Sequence, residues 1–165
     1  MHSVSLYEET IFLWGLTALL SIFTAVFLFL IVYQVLVGPL GEDPAPNWFF
    51  LFMSLLFLFM AINFRALSIK MTARSVIVGY GIFKRTIFWD NIERCYVDEV
   101  SSIRYGGWGI RIGRVKGKWR LVYNVIGGPR VVLSLKRGRF GEFVFSTRNP
   151  DEVMRVVRHM TGRMA

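Results

Sequence analysis

Few residues in this chain could do acid–base, metal or nucleophilic chemistry. Histidine occurs twice, as His2 and His159, and cysteine once, as Cys95. Neither histidine has a second imidazole, a thiol or a carboxylate nearby at a ligand spacing, so no metal site and no cofactor are predicted. His159 reads as a solvated rim residue on the last helix rather than a general base. Cys95 lies in the alternating run Ile92-Glu-Arg-Cys-Tyr-Val97, which predicts a small buried strand residue rather than a reactive thiol. One thiol excludes an intramolecular disulfide and agrees with a reducing compartment. Asp98 and Glu99 form an acidic pair before a polar stretch, and a solvated turn is expected there rather than paired carboxylates for proton transfer. The stretch Gly106-Gly107-Trp108-Gly109 is glycine-rich but lacks the Lys-Ser/Thr ending of a phosphate loop. Its glycines predict a tight bend with Trp108 packed on a sheet. No constellation of catalytic residues is found, and a protein that is not an enzyme is predicted.

The charges are more informative. All 20 Lys and Arg lie at Arg65 or beyond, against seven acids there, giving +13. The first 64 residues carry four acids and no base, which brings the chain to +9. Lys84 and Arg85 are adjacent, and Arg111, Arg114, Lys116, Lys118 and Arg120 crowd one turn. Arg130, Lys136, Arg137 and Arg139 gather around others. Lys84, Arg85, Arg111, Arg114, Lys116, Lys118 and Arg120 are the candidate lipid- or partner-binding residues. Beneath an anionic leaflet each such cation is worth about 1 kcal/mol. They form either a solvated tethering surface or a defined site for lipid headgroups or an acidic protein. Tyr105, Trp108, Trp119 and Tyr123 could stack on nucleic-acid bases. Membrane headgroups already account for the charge, however, and no nucleic acid is expected.

Two uncharged apolar stretches must hold this basic region at a membrane. Residues 11–37 would make a helix of about 40 Å, longer than a bilayer core of about 30 Å. Residues 48–64 would make one of about 26 Å, extended into the headgroups by Asn63, Arg65 and Lys70. The connection 38–47 holds three prolines and two glycines and predicts a turn between antiparallel helices. The flank before residue 11 has two Glu and no base, and no small-x-small site follows the apolar run, so an uncleaved anchor is predicted. Such long charge-free runs in so short a chain leave no shell to cover them as core helices. The connection has no base, whereas Arg65, Lys70 and Arg74 follow the second stretch. Both termini are therefore predicted to be cytoplasmic in the cell membrane. Thr17, Ser21 and Ala25 recur every four residues, a stripe on which a second helix could pack closely. Ser54 and Ala61 form a thinner one. The stripes serve the hairpin itself, a membrane-protein partner or a second copy. Neither stretch holds an ionisable residue, which argues against transport.

From residue 67 the texture changes to short β-branched and aromatic runs broken by Gly, Asn and basic turns. Strands are predicted at 67–72, 75–80, 82–89, 93–98, 109–114, 119–124, 130–136 and 140–146. Asn149 and Pro150 then open a helix over 149–160, with acids in its first turn and an apolar face of Val153, Val156, Val157 and Met160.

This layout resembles the pleckstrin-homology-like (PH-like) proteins of bacteria and archaea that carry two N-terminal membrane helices. The resemblance lies in Ile87-Phe-Trp-Asp-Asn-Ile92 leading into Glu93–Val97, in Tyr105-Gly-Gly-Trp-Gly-Ile-Arg111, and in Phe145-Ser-Thr-Arg-Asn-Pro-Asp-Glu-Val153. It covers residues 67–162 in texture. It implies a membrane α-helical hairpin plus an α+β domain: an antiparallel β-sandwich or partly open barrel capped by one C-terminal helix. It also implies a binding or scaffolding module without catalytic residues. The expected domains are an anchor over 1–65, with helices near 11–37 and 48–65, and a basic cytoplasmic domain over 66–165. The expected function is a non-enzymatic membrane-anchored adaptor engaging anionic lipid headgroups or an acidic protein. The alternative is an accessory or self-assembling subunit of a larger membrane complex.

Overall fold

Strand periodicity and the two apolar runs divide the chain into two kinds of structure. The computed structural model describes residues 5–100, 107–115 and 117–162. Tyr105, Gly106, Lys116 and Arg163 lie outside the described residues. Two compact units result, Met1–Ile11 with Ala66–Ala165, and Phe12–Arg65.

The second unit is a pair of helices, α1 (Trp14–Leu36) and α2 (Asn47–Phe64). Both are long and apolar enough to cross a membrane, and most of their side chains are not buried against protein. A helix apolar on every side cannot leave that surface in water. They pack through Leu20 and Thr24 of α1 and Phe50, Ser54 and Ala61 of α2, all buried. Phe57 stacks on Phe23 and Phe27, with centroids 5.0 and 5.6 Å apart. The Ser54 hydroxyl donates to the Thr24 carbonyl at 3.4 Å. At the turn, the Gln34 amide donates to the Asn47 side chain at 2.8 Å and the Ala45 carbonyl at 3.0 Å. At the opposite end, the Leu13 N–H donates to the Arg65 carbonyl at 2.8 Å. The Thr17–Ser21–Ala25 stripe is not the hairpin's seam. Ser21 and Ala25 are exposed and Thr17 is half-buried. The bulkier Leu20 and Phe27 fill the gap between the helices instead.

The other unit holds two sheets. The first has the order β1 (Ser5–Phe12), β2 (Ala66–Thr72), β3 (Ser75–Tyr80), β4 (Phe83–Phe88). Leu67, Ile69 and Met71 alternate inward from β2, and Val76, Val78 and Tyr80 from β3, all buried. A Cβ on Gly79 would run into the Lys84 backbone of β4, so that close approach requires glycine. A 3-10 turn, Trp89–Asn91, follows, and the buried Trp89 indole donates to the Thr72 carbonyl at 3.0 Å.

The second sheet has the order β5 (Ile92–Val97), β8 (Arg130–Leu135), β9 (Glu142–Ser146), β7 (Lys118–Asn124), β6 (Gly109–Val115). The sheets face each other where Tyr80 stacks on Tyr123 at 6.0 Å and the Tyr80 hydroxyl donates to the Asn124 carbonyl at 2.7 Å. Phe143, Phe145, Val131 and Leu133 complete this core. Helix α3 (Pro150–Gly162) lays Val153, Val157 and Met160 against β5, β8 and the 3-10 turn.

Eight strands and the last helix fall within two residues of their predicted bounds. Two features differ. The sheets are not wholly antiparallel, because β7 and β9 run parallel. Residues 125–129 carry the chain past one strand position, and the β8–β9 hairpin folds β9 into that gap. Ser5–Ile11, placed with the anchor by the sequence, folds instead as most of an edge strand of the first sheet. Its Glu9 carboxylate accepts from the Thr147 hydroxyl at 2.6 Å and the Arg148 N–H at 2.8 Å, just before α3. Glu8 pairs with Lys70 at 3.7 Å.

Candidate functional site

Strand alternation gives the second sheet two unlike faces. Tyr123, Phe143, Phe145, Val131 and Leu133 point to the first sheet, so Arg120, Val122, Glu142, Val144, Arg130 and Val132 point the other way. Val122, Val132 and Val144 form a small buried cluster there, with Val100 and Val115 packed on it. Around them runs a network of charged side chains. Arg120 donates to Glu142 through Nε and to Asp98 through Nη1, the latter at 3.2 Å. Asp98 accepts from Arg130 Nε at 3.2 Å on its other oxygen. Arg130 also donates to the Val100 carbonyl and, at 3.5 Å, to the Asn124 side chain. The Tyr96 hydroxyl donates to Glu142 at 2.9 Å and accepts from Arg120 Nη2 at 3.3 Å. Lys118 stands 4.0 Å from Glu142 at the rim. The Asp98 and Glu142 side chains are only 2% and 6% exposed.

Buried charges persist only when paired and hydrogen-bonded, and these are. No fully buried side-chain nitrogen or oxygen among the described residues lacks a partner. The network pins residues 98–100 across the valine cluster. Beside it opens a cleft of about 470 Å³ lined by Tyr96, Val97, Glu99, Val115 and Lys118 as well as Asp98, Arg120 and Glu142. Burial and then the bond to Glu142 push the Tyr96 hydroxyl up to about 12. Each buried carboxylate is held by a guanidinium, an arrangement that fixes a loop. Among the described residues, no group of three His, Cys, Asp or Glu side chains is placed to hold a metal ion. Cys95 is half-buried beside α3, and burial pushes its thiol up to about 12. His159 is exposed.

The sequence-predicted cations separate into two classes. Lys84 and Arg85 are exposed on β4, Arg111 and Arg114 on β6, and Lys118 at the start of β7. Lys116 lies outside the described residues. Arg120 departs from the expected surface cluster: it faces the covered side of β7 and is consumed by Asp98 and Glu142. Asp98 likewise is no solvated turn, because arginines on β7 and β8 draw it inward. Sequence reasoning missed the partnership of Arg120, Arg130, Asp98 and Glu142. The one available signal was Glu142, a lone acid opening a strand of Phe143 and Phe145 in a basic region. Gly107 and Gly109 do adopt positive φ, +108° and +94°, as the expected bend requires.

No family model, no curated protein and no solved structure matches the chain.

Proposed function

We propose that the protein is a non-enzymatic, membrane-anchored adaptor of the PH-like kind whose sheet unit engages anionic lipid headgroups. The observation that carries this is the division among its cations. Arg120 and Arg130 are neutralised inside the fold, while Lys84, Arg85, Arg111, Arg114 and Lys118 remain exposed on β4, β6 and β7. Two facing sheets closed by a terminal helix support the PH-like kinship, and the parallel β7–β9 pair departs from it.

The hairpin supplies the anchor and constrains the topology. Phe12–Arg65 interrupts a unit built from the chain on both its flanks. With both helices crossing a bilayer, β1 and the remainder of that unit lie on one side. Arg65, Lys70 and Arg74 follow α2 and the 38–47 turn has no base, so that side is the cytoplasm, with both termini. Protease added to intact cells is expected to spare the sheet unit.

The test is amide exchange on the full-length protein in nanodiscs, neutral or containing anionic lipid. Exchange across β4 and β6 should slow with anionic lipid and recover at high salt, where screening weakens exposed charges. Identical exchange in both lipids overturns the lipid reading.

A second reading, an accessory or self-assembling subunit, is favoured by Ser21 and Ala25, which are exposed on α1. Small residues there let another helix approach closely. Sedimentation of the detergent-solubilised protein as a monomer would remove self-assembly.

A further inference from the structure

The inner faces of the two sheets are not covered along their whole width. In the middle, Tyr80 stacks on Tyr123. Toward the β4 and β6 edges the same faces carry further side chains. On β4, Phe83 and Arg85 stand opposite Tyr80 and Val78, and so share the side of those core residues. On the β6–β7 ribbon, Ile112 pairs with Leu121 and Arg114 with Trp119, on the side that carries Tyr123. Yet Phe83 is 39% exposed, Ile112 60% and Trp119 51%. Arg85 and Arg114 are exposed as well. The Arg114 guanidinium lies over the Trp119 ring, 5.8 Å from its centroid. Burial raises the Tyr123 hydroxyl, and the charge of Arg85 on the facing sheet partly offsets that rise.

This rim is apolar, aromatic and cationic, and it has no acid. Strands β4, β6 and β7 together contain no Asp or Glu. We propose that the rim is a wedge for an anionic bilayer interface: Trp119 and Ile112 enter the boundary between headgroups and acyl chains while Arg85 and Arg114 hold lipid phosphates. The proposal rests on the lipid reading above and deepens it. Electrostatic tethering needs only cations, whereas an exposed Trp and Ile on a strand face add something tethering does not use. Trp concentrates at membrane interfaces, its ring apolar and its N–H wet. Arg binds phosphate in a planar, two-pronged geometry and stacks on aromatic faces. The absence of acids supplies the charge complementarity to an anionic leaflet. A membrane hairpin on the same chain raises the effective concentration of that leaflet and makes a small wedge sufficient.

The test uses full-length protein in vesicles of phosphatidylcholine alone or with phosphatidylglycerol, each with and without brominated acyl chains. The difference between wild type and Trp119→Phe isolates Trp119 from the other four tryptophans. Bromolipid should quench the Trp119 signal severalfold more in anionic vesicles than in neutral ones. Arg85→Glu with Arg114→Glu should abolish that excess. A Trp119 signal unquenched in anionic vesicles overturns the wedge, and so does equal quenching in both lipids, since the arginines would then have no part. Amide exchange at Lys84 and Arg85 in the same vesicles separates the two levels. Slowing by anionic lipid with Trp119 unquenched leaves the lipid reading standing and removes the wedge. No response in either measurement removes both and leaves an acidic protein as the partner of these cations.

Discussion

Arg120 and Arg114 lie six residues apart and have opposite fates. Arg120 is buried between Asp98 and Glu142. Arg114 is exposed, donating to the Gly117 carbonyl and lying over the Trp119 ring. In sequence both are arginines in one basic cluster. The difference is strand parity and what covers each face. Arg120 sits on the side of β7 over which residues 98–100 fold, and Arg114 pairs with Trp119 on the opposite side, where it is left exposed. A tally of 20 basic residues therefore overstates the available cations, because Arg120 and Arg130 are spent inside.

The largest effect on stability is expected from removing the acid that makes Arg120 and Arg130 structural. Asp98→Ala leaves two buried guanidinium groups short of a partner, and such a change costs about 3–5 kcal/mol. Denaturant unfolding of the solubilised protein should show it. A loss below about 1 kcal/mol would mean that the network is not what holds residues 98–100. A smaller loss is expected at Glu9, a half-buried carboxylate between the two extremes. Glu9→Ala takes the acceptor from the part-buried Thr147 and Tyr7 hydroxyls and from the exposed Arg148 N–H, and should cost about 1–3 kcal/mol. Because the lost contact joins β1 to the start of α3, amide exchange should rise in both elements and leave β6 unchanged.

These two sites also mark where the sequence was legible. Strand positions could be read because alternation and turn chemistry are local, and α3 because its cap, acids and apolar face lie within four turns. The hairpin could be read from composition alone. Glu9 could not be read, because the partners that tie it to the start of α3 are 138 and 139 residues away. Without them, Ser5–Phe12 offers only two acids and a short run before an apolar helix. The Arg120–Asp98–Arg130–Glu142 network is hidden for the same reason: its members lie on β7, β8, β9 and the end of β5, and only the sheet order brings them together. The parallel β7–β9 pair could not be inferred either, since residues 125–129 read as an ordinary turn between neighbouring strands.

Alkaline pH should loosen the same network more gently. Tyr96 joins the buried network and its hydroxyl is raised to about 12, from a usual value of 10.0. A raised value in the folded state favours the protonated phenol. The stability it contributes is therefore complete below pH 10 and is lost as pH rises from 10 toward 12. Tyr96→Phe should flatten this part of the stability profile. Absorbance titration of the wild type should show one tyrosine fewer ionising near pH 10 than unfolded protein does, beyond those kept neutral by the core. A profile unchanged by Tyr96→Phe would place the alkaline loss elsewhere.

The smallest effect on stability is expected where the functional claim is greatest. Lys84→Ala, Arg85→Ala, Arg111→Ala and Arg114→Ala remove exposed cations with no carboxylate partner on their own strands. Surface changes of this kind stay within about 0.5 kcal/mol each. The four together should leave unfolding nearly where it was, or raise stability slightly by relieving like-charge repulsion. The same four should abolish the response of β4 and β6 to anionic lipid, since each contributes about 1 kcal/mol at a charged membrane surface. The contrast with Asp98→Ala is then complete: one substitution strongly destabilises the fold, while four leave it intact and remove its response to lipid. A quadruple variant that is strongly destabilised would show that these arginines and the lysine also hold the fold, and that the two classes of cation are not separate.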